Sequence, residues 1–203
     1  MIITFAATKG GVGKTTLSMI VAETMSRARP SEPVLLLDLD PQGSATAYAD
    51  RTSDLLTEVR PIVARSAGVL PRQIREAVRG RDLVVIDTPP GQLDVIDAAL
   101  SESDLVVIPA QAFIDPVMRA VETVAMAKGL APAVVVLNQV RAGAQDAGAA
   151  RNVLEAQGVR VLDVVVPEWV AIGRIDGSGW PTDQRLLTLF AVVVEQVLKE
   201  VAR

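Results

Sequence analysis

Cysteine and histidine are both absent from the 203-residue sequence. Without cysteine, the chain has no disulfide, no thiolate-bound iron–sulfur cluster and no thiol nucleophile. Without histidine, it lacks the commonest metal ligand and the commonest general base of enzymes. Any chemistry must therefore use carboxylates, lysine, hydroxyl groups and backbone amides.

Long hydrophobic runs and an excess of positive charge are also missing. No apolar run approaches the roughly 18 residues of a membrane span, and Met1 leads into a strand-like segment without a signal-peptide pattern. These features predict a cytoplasmic protein. The formal net charge is −4, from 20 basic and 24 acidic side chains, so any nucleic-acid contact requires a local basic patch.

Hydrophobic residues make up 50% of the chain, although aromatic residues make up only 3%. Short continuous runs of Val, Ile, Leu and Ala are typical of strands buried on both faces of a parallel sheet. We predict six strands, at residues 2–7, 34–39, 83–86, 105–108, 134–137 and 161–166. Helical apolar spacing occurs at residues 14–29, 71–79, 94–101, 116–128, 145–157 and 181–202. This alternation predicts one α/β domain over residues 1–203, with a doubly wound, mostly parallel sheet covered by helices on both faces.

Glycine and proline cluster directly after three of the predicted strands, at residues 9–13, 40–43 and 88–91. Open α/β sheets bind ligands beyond the carboxyl ends of their strands. These three loops are therefore expected to converge on one site.

The first of these loops has the features of a phosphate-binding loop. Residues 8–16 read Thr-Lys-Gly-Gly-Val-Gly-Lys-Thr-Thr and join the first predicted strand to the first helix. Such loops bind phosphate through backbone N–H groups and the positive end of the helix. Lys14 is predicted to reach the β- and γ-phosphates, and Thr15 to ligate Mg²⁺. A plain glycine-rich connector is the alternative.

The same residues resemble the deviant Walker A motif of ParA/MinD-type ATPases. Thr8 stands where the general P-loop pattern has glycine, and Lys9 corresponds to the signature lysine of the family. The resemblance implies an ATP-dependent homodimer in which Lys9 reaches the phosphates bound by the other subunit. It implies nucleotide contacts from Lys9, Gly10, Gly11, Val12, Gly13, Lys14, Thr15 and Thr16. An exposed loop lysine is the alternative for Lys9.

Carboxylates lie at the ends of two predicted strands. Asp38 and Asp40 point to the same side if their strand continues, and Asp87 follows the strand at residues 83–86. The resemblance implies that Asp40 orients the hydrolytic water, while Asp38 and Asp87 lie near Mg²⁺. Taken alone, such aspartates are more often helix caps or turn formers.

Further nucleotide contacts are implied by the resemblance alone. Gly91, in a segment that resembles switch II, is expected to sense the γ-phosphate through its backbone N–H. Asn138 is expected to contact adenine, and Pro167 and Glu168 to line the adenine pocket. Asn138 is equally compatible with a turn residue.

The resemblance covers essentially the whole chain and implies a ParA-like ATPase. Such a protein is cytoplasmic and nucleoid-associated, binds DNA non-specifically as an ATP dimer, and hydrolyses ATP when a ParB-like adaptor stimulates it. The implied cargo is a plasmid, a chromosome region or a large protein assembly. Six arginines lie between residues 60 and 81, and they are either a DNA-contacting patch or a solvated face. They are Arg60, Arg65, Arg72, Arg75, Arg79 and Arg81.

Two other functions stay open. A MinD-like or other soluble spatial regulator would act through a protein partner or the membrane, but residues 186–203 mix acidic and basic side chains, so no stable membrane attachment is expected. Phe113 is a candidate partner or dimer contact, although a lone Phe is expected to pack in the core. A small-molecule ligase related to dethiobiotin synthetase would need a second polar cluster, and the sequence offers none.

Overall fold

A parallel sheet forms the centre of the computed structural model, which describes residues 1–63, 66–141, 146–168 and 179–203. Its strands are β1 (Ile2–Phe5), β2 (Leu35–Asp38), β3 (Glu58–Pro61), β4 (Val84–Asp87), β5 (Leu105–Ala110), β6 (Ala133–Val140) and β7 (Val161–Pro167). They lie in the order β3–β2–β4–β1–β5–β6–β7, and every neighbouring pair is parallel. The predicted doubly wound α/β fold is confirmed.

Helices cover both faces of this sheet. They are α1 (Lys14–Ala28), α2 (Ser44–Arg51), α3 (Leu70–Ala77), α4 (Leu93–Leu100), α5 (Ile114–Ala127), α6 (Asp146–Ala156) and α7 (Gln184–Val201). The hydrophobic core on one face contains residues of α1, α2 and α7, and the cores on the other face contain residues of α3 to α6. None of the helices in the described part of the chain is both long enough and apolar enough to cross a bilayer.

The alternation of side chains along β2 and β4 explains why these strands are apolar at every position before their terminal aspartates. Leu36 and Val85 belong to the core beneath α1 and α7, whereas Leu35, Leu37 and Ile86 belong to the core beneath α3 and α4. Successive side chains of a strand point to opposite faces, so a sheet covered on both sides needs apolar residues at every position.

The structure contains one strand and one α-helix that we did not predict. Strand β3 (Glu58–Pro61) pairs with β2 at the sheet edge and is only partly buried, so its sequence has no apolar run. Helix α2 has eight residues and follows Gly43 directly. The predicted helix at 71–79 ends at Ala77, so Arg79 lies beyond it.

The order of the strands fixes where a ligand can bind. Strand β1 lies between β4 and β5. After β1, the chain adds β2, β3 and β4 on one side of β1 in the strand order, and it then crosses from β4 to β5 on the other side of β1. Such a change of direction opens a crevice at the carboxyl ends of the strands. The loops after β1, β2 and β4 all begin at this edge.

Candidate nucleotide-binding site

The loop between β1 and α1 has a backbone that only glycine tolerates at its last turn. Gly13 precedes α1 with φ +89°, and its carbonyl accepts a hydrogen bond from the Leu17 N–H at 3.0 Å. A Cβ at this position would lie 2.2 Å from Nδ2 of Asn138. Glycine at position 13 therefore lets the loop turn tightly into α1. The loop and the first N–H groups of the helix can then approach a ligand closely, as phosphate binding requires.

Lys14 is a buried cation directly after this loop. Its Nζ donates to the Lys9 carbonyl at 3.3 Å, which is a weak interaction. Burial lowers the pKa of Lys14, whereas the negative charges of Asp87 and Asp40 act in the opposite direction. The ammonium group is thus poorly compensated in the free protein, and a bound phosphate would compensate it.

Asp87, at the end of β4, is completely buried. Neither of its carboxylate oxygens has a hydrogen-bond partner among the described residues. The pKa of Asp87 is raised to about 7, chiefly by burial and also by the nearby negative charges of Asp38 and Asp40, while the Thr15 hydroxyl and the charge of Lys14 act against this rise. Unpaired buried carboxylate oxygens are costly unless a cation or water occupies the space beside them.

Thr15 and Asp87 together fit a magnesium ion. Mg²⁺ prefers oxygen ligands and usually keeps several waters, with one or two protein carboxylates and the phosphates of the substrate. Among the described residues, no group of three or more acidic side chains is placed so that it could hold a metal ion by itself. Mg²⁺ bound here would supply positive charge to the phosphates, and the Asp87 carboxylate would hold it directly or through water.

Asp38 serves mainly to shape the loop after β2. Its carboxylate accepts hydrogen bonds from the Asp40 N–H at 3.2 Å, the Thr46 N–H at 2.9 Å and the Thr46 hydroxyl at 2.8 Å. Strand β2 ends at Asp38, so the condition under which Asp38 and Asp40 point to the same side is not met. These hydrogen bonds between Asp38 and nearby backbone N–H groups stabilise a turn in place of a continuing strand.

Asp40 is half-buried and faces the site more openly. Its carboxylate accepts a hydrogen bond from the Gln42 N–H at 2.9 Å, and its charge is felt by both Lys14 and Asp87. A carboxylate held in this way has an oxygen available to orient a water molecule near the phosphates.

Lys9 does not fold back onto its own loop. Its Nζ contacts the Asp115 carboxylate at 2.5 Å, in the first turn of α5. This hydrogen bond lowers the pKa of Asp115, and both side chains remain solvent-accessible. The amine of Lys9 therefore lies at the outer edge of the site.

Asn138 supports the phosphate loop through a side-chain hydrogen bond. Its side chain is buried, and Nδ2 donates to the Val12 carbonyl at 2.8 Å. The next residue, Gln139, has a left-handed backbone with φ +56°, and its side-chain carbonyl accepts from Gln111 Nε2 at 2.6 Å. The described contacts give Asn138 a supporting role for the loop.

The other predicted contacts lie around this centre. Gly91 is exposed, and a Cβ there would lie 3.8 Å from the Thr8 carbonyl, so the loop after β4 touches the phosphate loop. Pro167 ends β7, and Glu168 follows it with an ion pair to Arg141 at 3.0 Å. No described contact joins Glu168 to the phosphate loop.

Comparison with known proteins identifies the family of this site. The model of the CobQ/CobB/MinD/ParA nucleotide-binding domain matches residues 3–181. The chain belongs to the ParA/MinD family of ATPases. It is 34% identical over 169 residues to the chromosome-partitioning ATPase Soj of Thermus thermophilus, covering 70% of this chain and 63% of Soj. It is 41% identical over 108 residues to the maintenance of carboxysome distribution protein A of Gloeobacter kilaueensis, covering 50% and 44% respectively.

The ParA/MinD fold is also evident from solved structures. A plasmid partition protein of Borrelia burgdorferi bound to AMPPNP superposes with a TM-score of 0.77 at 21% identity, covering 98% of this chain and 99% of that chain. The chain thus spans about half to two thirds of the length of the two curated relatives, but nearly all of this solved neighbour.

Two features of this ParA/MinD-family site could not be read from the sequence. Asp115 is 106 residues away from Lys9 along the chain, so no local motif links them. Thr46 contacts Asp38 from a helix that we did not predict. Phe113, which was expected in the core, is 51% exposed, so that expectation was wrong.

Proposed function

We propose that this ParA/MinD-family chain, acting as a single domain over residues 1–203, is an ATPase that partitions or positions a large cargo. It binds Mg²⁺ and ATP, forms a homodimer with ATP and binds DNA without sequence preference. A ParB-like adaptor stimulates hydrolysis, and the protein acts in the cytoplasm on the nucleoid. The observation that carries this proposal is a pair of buried charged groups beneath a glycine-rich loop: Lys14 makes only a weak hydrogen bond, and neither carboxylate oxygen of Asp87 has a hydrogen-bond partner among the described residues.

Each residue has a defined part in this proposal. Lys14 and the loop amides bind the phosphates, and Thr15, Asp87 and Asp38 surround Mg²⁺. Asp40 orients the attacking water, which suffices for a loose transition state that needs little base strength. Lys9 contributes positive charge to the phosphates of the partner subunit, as an arginine finger does.

The relatives support a partition or positioning role. One is named for chromosome partition and the other for carboxysome distribution. The two cargoes differ, so the function that the two relatives have in common is to move or space a large cargo. We assign this common function to the ATP-dependent switch of the present chain.

The surface charge of the monomer offers little positive potential for DNA. Arg60 and Arg81 pair with Glu58, and Arg75 pairs with Glu102. Arg65 lies outside the described residues, Arg72 lies 3.8 Å from Glu76, and Arg79 is exposed. In this proposal the DNA footprint is assembled when two copies come together, which makes DNA binding depend on ATP.

Co-sedimentation of the Asp40→Ala protein tests this function. The protein is mixed with random-sequence DNA or with anionic liposomes, each with ATP and with ADP. We expect it to pellet with DNA only in ATP, and to be released as salt is raised, because phosphate contacts displace counterions. Pelleting with liposomes instead of DNA would move the protein to a MinD-like function, and pelleting with neither would contradict the DNA-based function.

A second experiment separates the two lysines. Lys14→Ala is expected to lose nucleotide binding, because it removes the buried cation that faces the phosphates. Lys9→Ala is expected to bind ATP as a monomer but not to dimerise. A Lys9→Ala protein that dimerises and hydrolyses ATP like the parent would end the proposed role of Lys9 across the dimer.

A further inference from the structure

A cavity of about 750 Å³ lies at the amino ends of the central strands, at the edge of the sheet opposite the phosphate loop. It is lined by Met1, Val34 and Leu83, which directly precede the adjacent strands β1, β2 and β4. The last turns of α1 and residues 191–198 of α7 complete its walls. Because α1 begins at Lys14 and its 15 residues rise about 20 Å, this amino-edge cavity is well separated from the nucleotide site.

The most buried residues that line the amino-edge cavity are apolar. Met25, Val34, Leu83 and Val194 are each more than nine-tenths buried, and all four belong to the core between the sheet, α1 and α7. Leu198 is partly buried and packs against the same core. Sites for small organic ligands are typically clefts of about 300 to 1,000 Å³ with mainly apolar walls and a few polar groups. The amino-edge cavity has this size and this kind of wall.

One hydroxyl group of the cavity lacks a hydrogen-bond partner. Thr24 Oγ1, on α1, is buried, and none of the described residues bonds to it. Other helical threonines do find a partner, because Thr123 and Thr188 each donate to the backbone carbonyl one turn earlier in their helices. A buried polar atom without a partner is costly. A ligand that places a polar atom beside Thr24 would remove this cost.

Two free carboxylates lie at the mouth of the cavity. Glu32 and Asp82 are exposed, and neither side chain has a hydrogen bond or an ion pair among the described residues. They lead into neighbouring strands, because Leu35 of β2 is paired with Val84 of β4. The two carboxylates therefore lie on chain segments that enter the sheet side by side.

The positive charges at the mouth are mostly engaged with other groups. Arg81 pairs with Glu58, and the N-terminal amine donates to a backbone carbonyl at 2.8 Å. The third carboxylate of the mouth, Glu195, pairs with Lys199 at 2.6 Å. Arg29 is the one cation of the mouth without a partner among the described residues. Two free carboxylates against one free guanidinium favour a positively charged ligand.

We infer that the amino-edge cavity binds a small organic cation with an apolar body. The apolar body fills the inner part of the cavity, and a polar atom of the ligand pairs with the Thr24 hydroxyl. A protonated amine of the ligand lies at the mouth, beside Glu32 and Asp82. An anion of the same shape would meet both carboxylates and be repelled. This site is distinct from the nucleotide site, and it goes beyond the proposed ATPase function.

Two fluorescent probes of opposite charge test the chemistry of this ligand. Dansylcadaverine has an apolar naphthalene body and a primary amine, and dansyl-6-aminohexanoic acid has the same body and a carboxylate. Each is titrated into the nucleotide-free protein. We expect the amine probe to bind with a rise in emission, to bind about tenfold more tightly than the carboxylate probe, and to weaken as salt is raised. Equal affinity for the two probes, or no binding of the amine probe, would overturn the inference.

A blocking substitution tests where the amine probe binds. Ala191 is an exposed residue of α7 at the cavity, and Ala191→Trp is expected to abolish binding because the indole fills the mouth. Ala125→Trp is the matched control, since Ala125 is also an exposed helical alanine but lies on α5, outside the cavity. Thermal unfolding verifies that both variants are folded. If a folded Ala191→Trp protein binds the amine probe as tightly as the control does, the cavity is not its site.

Neutralising the two carboxylates tests the charge at the mouth. The double variant Glu32→Gln/Asp82→Asn is expected to weaken the amine probe about fivefold or more, and not to weaken the carboxylate probe. Asp97→Asn, an exposed acid of α4 on the other face of the sheet, is the control and should bind both probes like the parent. An amine affinity that is the same in the double variant and the control contradicts the assigned role of Glu32 and Asp82.

Nucleotide titration separates this inference from the proposed function. None of residues 8–16 lines the amino-edge cavity, so a fluorescent ATP analogue should bind equally well to the parent and to all these variants. Saturating ATP should leave the amine probe bound. If ATP displaces the probe completely, the probe occupies the nucleotide site and the inference is overturned. If the probe experiments succeed in a protein that fails to dimerise with ATP, the inference stands while the proposed function fails.

Discussion

At the scale of single residues, Asp87 is an acidic side chain in an environment very different from water. It is completely buried, its oxygens lack hydrogen-bond partners in the described part of the structure, and its pKa is raised to about 7. An aspartate that is largely protonated below neutral pH cannot hold a cation well. The same group becomes charged when Mg²⁺ and phosphates arrive, because a neighbouring cation favours the carboxylate.

Binding of Mg²⁺ and ATP should therefore depend on pH through Asp87. Below its pKa of about 7, binding must first release a proton, so affinity is expected to rise between about pH 6 and about pH 8. Titrations with a fluorescent ATP analogue measure this. Asp87→Asn, which cannot titrate, should bind more weakly and with less pH dependence. A parent affinity that is constant over this range would contradict the account.

The raised pKa has an opposite effect on the stability of the ligand-free protein. Between the ordinary pKa of 3.8 and about 7, the folded state keeps the proton on Asp87 and the unfolded state has lost it. The unfolded state binds fewer protons in this window, so the contribution of Asp87 to the free energy of unfolding falls as pH rises. Asp87→Asn should remove this part of the pH dependence, as measured by denaturant unfolding.

Gly13 is the second residue whose environment allows a direct test. An alanine there would need a left-handed backbone and would place its Cβ 2.2 Å from Asn138 Nδ2, the atom that holds the Val12 carbonyl. Gly129→Ala is a matched control, with φ +84° and no atom within 4 Å of a Cβ. The control should cost only the backbone strain of about 1–2 kcal/mol.

We expect Gly13→Ala to lose nucleotide binding as well as stability, because Asn138 must move away from the loop. Thermal unfolding and nucleotide titration of both variants measure the two effects. If Gly13→Ala binds nucleotide as tightly as Gly129→Ala does, Asn138 does not support the loop in the way described.

At the scale of elements, most of the strands that the sequence predicts are buried at nearly every position, because helices cover both sides of the sheet. The predicted strand β7 (Val161–Pro167) lies at one sheet edge and is fully buried only at alternate positions, but its run of valines still identifies it. Strand β3 (Glu58–Pro61) lies at the sheet edge and mixes charged residues with proline, so periodicity alone does not reveal it. Its position depends on pairing with β2, which is a long-range contact.

The segment before β3 is held by a buried carboxylate of α1. Glu23 accepts hydrogen bonds from the N–H groups of Leu56 and Thr57 and from the Thr57 hydroxyl, and it pairs with Arg27 at 2.7 Å. The side chain is fully buried. It therefore ties α1, the helix that begins at Lys14, to the segment that leads into the edge strand.

Glu23→Ala is expected to lower the free energy of unfolding by about 3 kcal/mol, because several buried donors lose their acceptor. Denaturant unfolding measures this change. Glu195→Ala on α7 is the matched control, because its ion pair with Lys199 is solvent-exposed and should contribute little. Equal effects of the two substitutions would show that Glu23 does not anchor β3.

The elements also explain which parts of the site could be predicted. The loops after β1, β2 and β4 converge because parallel strands end at one edge, and this brings Lys14, Asp40 and Asp87 within range of one another's charge. The contact of Lys9 with Asp115 requires the relative position of β1 and β5, which no local pattern contains. Exposure of Phe113 likewise depends on where α5 begins at the edge.

At the scale of the whole molecule, the monomer combines net negative charge with paired arginines. The net charge of −4 and the ion pairs of Arg60 and Arg81 with Glu58 disfavour DNA binding by one copy, which agrees with the proposal that two copies bind DNA together. Dimer formation would therefore precede DNA binding in an ATP-driven cycle. In such a cycle, hydrolysis that separates the copies also releases the DNA.

Sedimentation equilibrium of the Asp40→Ala protein with ATP and with ADP tests this account most directly. The account predicts the monomer mass of 21.5 kDa in ADP and twice that mass in ATP. It further predicts that adding Lys9→Ala to the same protein returns the mass in ATP to that of the monomer while ATP binding remains. A protein that binds ATP and stays monomeric without the Lys9 change would contradict the account.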